Sequence, residues 1–332
     1  MRIQGTERKR GNRMLSKRDF MDAVKRNIVN FLPEDVSENV EISETVVVKM
    51  NDQKLHGLVI REKGSDAAPT FYMDEMFERY ENGENMGELM TELAGNYGMV
   101  DLMPRPPEVD LSWDNVKDKL TVRLLEKSRN REFLSAMPYV SVGHGLAIIA
   151  DINMGEDRGG DWRIAINNNV LESLGVDKER LFSDAMSNAK IYDPAELVDM
   201  TNALFSPVKN NLLDRDEPLG PDEIGGMYVL TNSTGSLGAA ALFYPDVKEK
   251  AAELLGSDYY ILPSSTHEVI LVPDTAGINP KELCEMVKQA NRTVVDEKDI
   301  LSDNVYHYSR DERRLDKVTP EPHLSDRVAE GR

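Results

Sequence analysis

Ser264, Ser265, His267 and Glu268 bring two hydroxyls, an imidazole and a carboxylate into five consecutive positions. A nucleophile, its base and an orienting acid are made from such groups. In a strand, side chains alternate between faces, so His267 and Glu268 are expected on opposite sides. Neither serine lies in a G-x-S-x-G elbow. The structural alternative is a polar turn, with the serines bonded to backbone and His267 opening the next strand. His267-Glu268 also begins like a helical zinc motif, but Leu271 stands where the second histidine is needed.

A second candidate set is Asp274 with Asp296 and Lys298. It loosely follows the carboxylate–carboxylate–lysine pattern of metal-dependent nucleases, in which two acids hold a divalent cation and a lysine stabilises charge at phosphate. Here a helix intervenes and no basic groove accompanies the set. Gly143-His144-Gly145 precedes a strand and reads as a tight turn, since the lysine and spacing of a phosphate loop are missing. Asp151-Ile152-Asn153 starts like a calcium loop, but Trp162 occupies the position of the closing acid. His56 reads as a half-buried residue on a strand. The single cysteine, Cys284, permits no intramolecular disulfide. No cofactor and no zinc set is expected.

These residues hang on a framework that is clearest over residues 227–295, where apolar runs alternate with amphipathic segments. Strands are expected at 227–230, 239–243, 259–262 and 269–272, with helices opened by Pro245 and Pro280. That grammar predicts an α+β fold: an antiparallel sheet of strand–strand–helix units with helices covering one face. The same arrangement recurs upstream, with strands at 40–49, 55–60, 120–125, 146–152 and 162–166. Helices are expected at 15–32, 73–80, 86–97, 170–174 and 178–188. Asn51-Asp52 joins the first two strands as a hairpin turn. Residues 207–226 read as an exposed loop, and 300–308 as a last short strand.

Domain boundaries follow composition. Residues 1–13 are basic and nearly free of apolar side chains, so a disordered arm is expected there, with Met14 as the start. An N-terminal α+β lobe spans 14–103, up to the proline-rich run Met103-Pro104-Arg105-Pro106-Pro107. The main α+β domain spans 108–309, and a charged, disordered tail runs from 310 to 332.

The net charge is −19, distributed as +6 over residues 1–30 and −25 over the remainder. Such a body repels phosphate backbones, so direct nucleic-acid binding is not expected of it. The expected partner is a basic protein. No apolar run reaches the roughly 20 residues that span a bilayer, and the start lacks a secretory apolar core. A cytoplasmic location is expected.

Several long strings carry a resemblance: KLHGLVIREKGSDAAPTFYMDEMFERYENGE, RLLEKSRNREFLSAMPYVSV, MYVLTNSTGSLGAAALFYPDV, LGSDYYILPSSTHEVILVPD and LSDNVYHYSRDERRL. Through them, over residues 20–315, the chain resembles the uncharacterised bacterial domain-of-unknown-function family 5688, common in anaerobic gut bacteria and their mobile elements. The resemblance implies no activity, cofactor or catalytic residue. The function expected from all this is a non-enzymatic binding or accessory role, in the service of a mobile element. Its rival is a hydrolase built on Ser264–Glu268, or a nuclease on Asp274, Asp296 and Lys298.

Overall fold

The computed structural model describes residues 14–318 except 66–67, 101–109, 158–159, 207–209, 221, 225, 264 and 278. The basic arm at 1–13, the proline-rich run, Ser264 and the end of the tail lie outside the described residues. The chain groups into two units. The first runs to residue 109 without Met50–Asp52; the second comprises Met50–Asp52 with everything from Asp110 onward.

In the first unit, Ser16 caps helix α1 (Lys17–Asn27) by accepting from the Asp19 N–H. Phe20, Met21 and Val24 recur at helical spacing and are buried. A short turn of helix, α2 (Glu34–Ser37), leads to strands β1 (Val40–Val48), β2 (Lys54–Glu62) and β3 (Thr70–Tyr72), antiparallel in that order. Helices α3 (Met73–Glu81) and α4 (Met86–Val100) complete the unit. The Phe20 ring lies 5.4 Å from Phe77 and 5.0 Å from Tyr80, centroid to centroid, and these rings pack with Leu58, Ile60, Leu89 and Leu93. Asn51 and Asp52 both adopt positive φ between β1 and β2, as a tight hairpin turn requires.

The second unit opens with α5 (Trp113–Val116), β4 (Leu120–Glu126), α6 (Arg131–Ser135) and β5 (Val140–Gly143). Strands β6 (Leu146–Asp157) and β7 (Gly160–Ala165) and helices α7 (Asn168–Leu174) and α8 (Lys178–Tyr192) follow. In this sheet β6 is central, pairing β4 along one edge and β5 and β7 in succession along the other. Gly143, His144 and Gly145 all take positive φ in the β5–β6 turn, as the tight-turn reading expects.

A six-stranded antiparallel sheet follows. It is built from β8 (Ala195–Asp199), β9 (Tyr228–Asn232), β10 (Tyr259–Leu262), β11 (Val269–Pro273), β12 (Tyr306–Ser309) and β13 (Arg314–Lys317), in the order β13-β12-β10-β11-β9-β8. Helix α9 (Met200–Phe205) follows β8, α10 (Val247–Leu255) precedes β10, and α11 (Pro280–Thr293) follows β11.

The α+β class and antiparallel pairing hold, but helices cover both faces of this sheet. Tyr259, Ile261, Val269 and Leu271 share a core with Ala251, Leu254 and Leu255 of α10. Their strand neighbours Leu262 and Val272 pack instead with Leu283, Cys284 and Val287 of α11. Since side chains alternate along a strand, α10 and α11 lie on opposite faces. The physical reason is visible in YYIL and VILV: strands apolar at every position have two faces to bury.

Three further expectations are corrected. Residues 239–243 form no strand; Gly238–Phe243 is a buried 3-10 helix. An alanine run is small, has no strand preference and fits the tight space beside β9. The exposed loop expected at 207–226 is anchored at its described residues, because Leu212 and Leu219 are buried in the main core. Asn211 also covers the outer edge of β8, accepting from the Leu197 N–H at 2.9 Å and donating to the Ala195 carbonyl at 3.2 Å. The tail is ordered as far as β13, which pairs with β12 and buries Leu315.

Candidate functional site

The turn between β10 and β11 carries the first candidate set. Ser265 is 6% exposed and pairs through its backbone with Ile300. Its hydroxyl accepts a hydrogen bond from the His267 backbone N–H at 3.0 Å. That is a local serine turn, and it ties the oxygen to main chain rather than to the imidazole.

The His267 ring is tied at both nitrogens. Nδ1 accepts from the Leu237 N–H at 3.2 Å, and Nε2 lies 3.4 Å from Asp299 Oδ1. The first bond requires Nδ1 to be unprotonated, so the ring proton sits on Nε2, facing the carboxylate. A general base needs a free lone pair within reach of the proton it takes. Here that lone pair is already used by the backbone.

Around this ring the chain is tightly fixed. The Thr231 hydroxyl donates to the His267 carbonyl at 2.7 Å, and the Thr266 N–H to the Asp299 carbonyl at 2.8 Å. Leu237 is held at φ +54, and the following Gly238 abuts Thr231, Asn232 and His267. The carboxylate facing the imidazole is thus Asp299, contributed by a distant segment. Glu268, next to His267 in sequence, is half-buried and makes neither an ion pair nor a hydrogen bond with the ring among the described residues. Ser264 lies outside the described residues.

The second set is scattered over different environments. Asp274, just past β11, lies 3.4 Å from His307 Nε2 and hydrogen-bonds Tyr260. Burial first, and then this bond, push the Tyr260 phenol up to about 12. The Tyr260 and His307 rings are cross-strand neighbours 4.9 Å apart. Asp296 and Lys298 are exposed around a short 3-10 turn, Glu297–Asp299, and neither has an ion pair among the described residues. Among the described residues no three histidine, cysteine, aspartate or glutamate side chains cluster as metal ligands would. Asp151 is fully buried on β6 and bound to Arg123, at 2.6 Å from Nη2 and 2.9 Å from Nε. It serves an internal ion pair and not a calcium loop.

His56 is likewise structural. Asp74 accepts from its backbone N–H at 2.7 Å, contacts its Nδ1 at 3.1 Å, and pairs with Lys17 at 2.6 Å. Burial raises the Asp74 carboxyl, but the Lys17 and His56 bonds outweigh it and hold the group below its ordinary range. Cys284 is buried on α11, and burial pushes its thiol up, away from reactivity.

A polar node that sequence reading did not single out lies at the β4–α6 loop. Glu126, Asn130, Asn291 and Ser302 are all buried there. Asn304 donates to Glu126 at 2.9 Å, and Arg129 donates to Asp303 at 2.5 Å. Asn291 donates to both the Ser302 carbonyl and Asp303. From Met50–Asp52, the Asn51 N–H donates to Asn130 Oδ1 at 2.7 Å, and Asp52 accepts from the Glu132 and Phe133 N–H groups. The available signal was the clustering of Asn, Ser and Asp in EKSRNRE and LSDN, polar runs that adjoin β4 and β12.

Among the described residues, no helix is long and apolar enough to cross a membrane. No curated protein and no solved structure matches the chain. The model of a family of unknown function, DUF5688, matches residues 17–310, which takes in both units and every site above. The chain belongs to that family.

Proposed function

We propose that this protein is a non-enzymatic binding protein, an accessory factor of a mobile element that engages a basic protein partner through its acidic surface. The observation that carries the reading is the His267 ring, whose two nitrogens are both committed to holding the fold. The Ser265 hydroxyl accepts from the His267 backbone N–H, which supports reading this serine–histidine set as a structural clasp. The net charge of −19 supplies the complementary argument. Charge of that size accelerates encounter with a basic surface and disfavours other partners.

A direct test is intact-mass analysis after treatment with a fluorophosphonate, which labels activated serines. The expected result is an unmodified protein, with brief hydrolysis assays on simple esters giving the buffer rate. Stoichiometric modification of Ser265 that disappears in His267→Asn would replace this reading with the hydrolase.

A further inference from the structure

The second unit has a cleft of about 470 Å³ beside α6, formed by Lys127, Ser128, Arg131, Ser135 and Tyr139 over a floor that includes Leu134. Its volume falls in the range of roughly 300–1,000 Å³ typical of small-molecule sites. The charge of its lining is opposite to that of the protein. Acids outnumber bases 59 to 40 in this chain, yet the cleft is lined by two bases and no acid.

Neither base has an ion pair among the described residues. Lys127 Nζ contacts only the Ser141 hydroxyl, at 3.1 Å. Arg129, between them, is consumed internally by Asp303 and Glu126. The Ser128 hydroxyl and the Tyr139 phenol carry no hydrogen bond among the described residues, whereas Ser135 donates to the Glu132 carbonyl. The open groups are thus an ammonium, a guanidinium and two hydroxyls, which are all able to donate.

The loop that presents them is rigidly set. The Lys127 N–H donates to the Gly145 carbonyl at 2.7 Å, and Asn130, 1% exposed, is bonded to Glu126 and Asn51. A buried polar network is costly unless it is fully satisfied. Here it holds the main chain on both sides of Ser128 and Arg131, so the backbone that carries them needs no further ordering on binding.

We infer that this cleft binds the phosphate group of a phosphorylated small molecule. The Arg131 fork matches a phosphate edge, Lys127 adds a point charge, and the Tyr139 ring walls the remainder of the ligand. This inference stands apart from the protein-partner reading, because it concerns a different surface of opposite charge.

The test uses the full chain with inorganic pyrophosphate as the probe, followed by amide chemical shifts and calorimetry in low salt. The expected result is saturable binding with shifts concentrated at residues 127–145, weakened at least about tenfold in Lys127→Gln/Arg131→Gln. That variant alters only exposed or half-buried side chains, and its melting temperature verifies that it is folded. Arg131→Lys, which keeps the charge but loses the fork, is expected to bind with intermediate affinity. No saturation, equal binding by the double variant, or binding to single-stranded RNA without binding to pyrophosphate would each overturn the inference.

Discussion

His267 shows how a residue with catalytic credentials is spent on structure. Its imidazole joins three separated segments, taking a bond from Leu237 and facing Asp299 while its own carbonyl receives Thr231. Removing it leaves a backbone donor and a carboxylate without partners. His267→Ala should therefore cost about 1–3 kcal/mol in urea unfolding. His267→Asn keeps an acceptor at the Nδ1 position and should cost clearly less. Equal losses for both would show that the Leu237 bond contributes nothing. Asp303 makes a second case at this scale. Burial raises its carboxyl, but the bonds from Asn291 and Arg129 prevail and set it below its ordinary value. A carboxylate lowered on folding contributes stability above its unfolded pKa, and loses it as pH falls through the lower folded value. The stability gap between wild type and Asp303→Asn should thus be full at pH 7 and narrow progressively as pH falls below about 4. A gap unchanged at pH 3 would contradict this.

At the scale of elements, legibility depended on whether local pattern and tertiary demand agreed. Helix α11 was readable because Asn279 caps it, Pro280 opens it and Leu283 and Val287 share a stripe. The β1–β2 hairpin was readable from Asn51-Asp52 between two β-branched runs. The segment Gly238–Phe243 was not, since alternation and compactness look alike in a short apolar run. Its conformation is dictated by space: a Cβ on Gly238 would collide with Thr231 Oγ1 and lie 2.5 Å from the Asn232 nitrogen and 2.8 Å from the His267 oxygen. Gly238→Ala should accordingly destabilise by more than about 3 kcal/mol or prevent folding, because two of those neighbours are backbone. A variant within 1 kcal/mol of wild type, roughly the size of an ordinary mutation, would show that the segment can shift. The clasp itself was half legible. Ser265 and His267 were found from type and spacing, whereas Asp299 is joined to them by the chain's return and leaves no local trace. The polar node at Glu126 and Asn130 was missed for the same reason: Asn304, which donates to Glu126, is 178 residues away in sequence.

Across the whole molecule, net charge is the property that neither packing nor local bonding explains. Arg79 is bound by Glu84 and Glu92, and Arg215 by Glu223, but many acids have no such partner. Glu78, Glu81 and Glu88 of the first unit and Asp216 and Asp222 of the second are exposed and free of ion pairs among the described residues. Like charges at this density oppose compaction, whereas they speed encounter with a basic surface, which is the role proposed for them. The measurement that tests this most directly is partner capture in the cells that encode the protein. The bait is compared with a variant carrying Lys at Glu78, Glu81, Glu88, Asp216 and Asp222, which raises the net charge from −19 to −9, two units per substitution. The expected result is a basic protein partner that is retained by the wild type, released by about 0.5 M salt and lost from the folded variant. A partner held equally by the variant, or held without regard to salt, would contradict it.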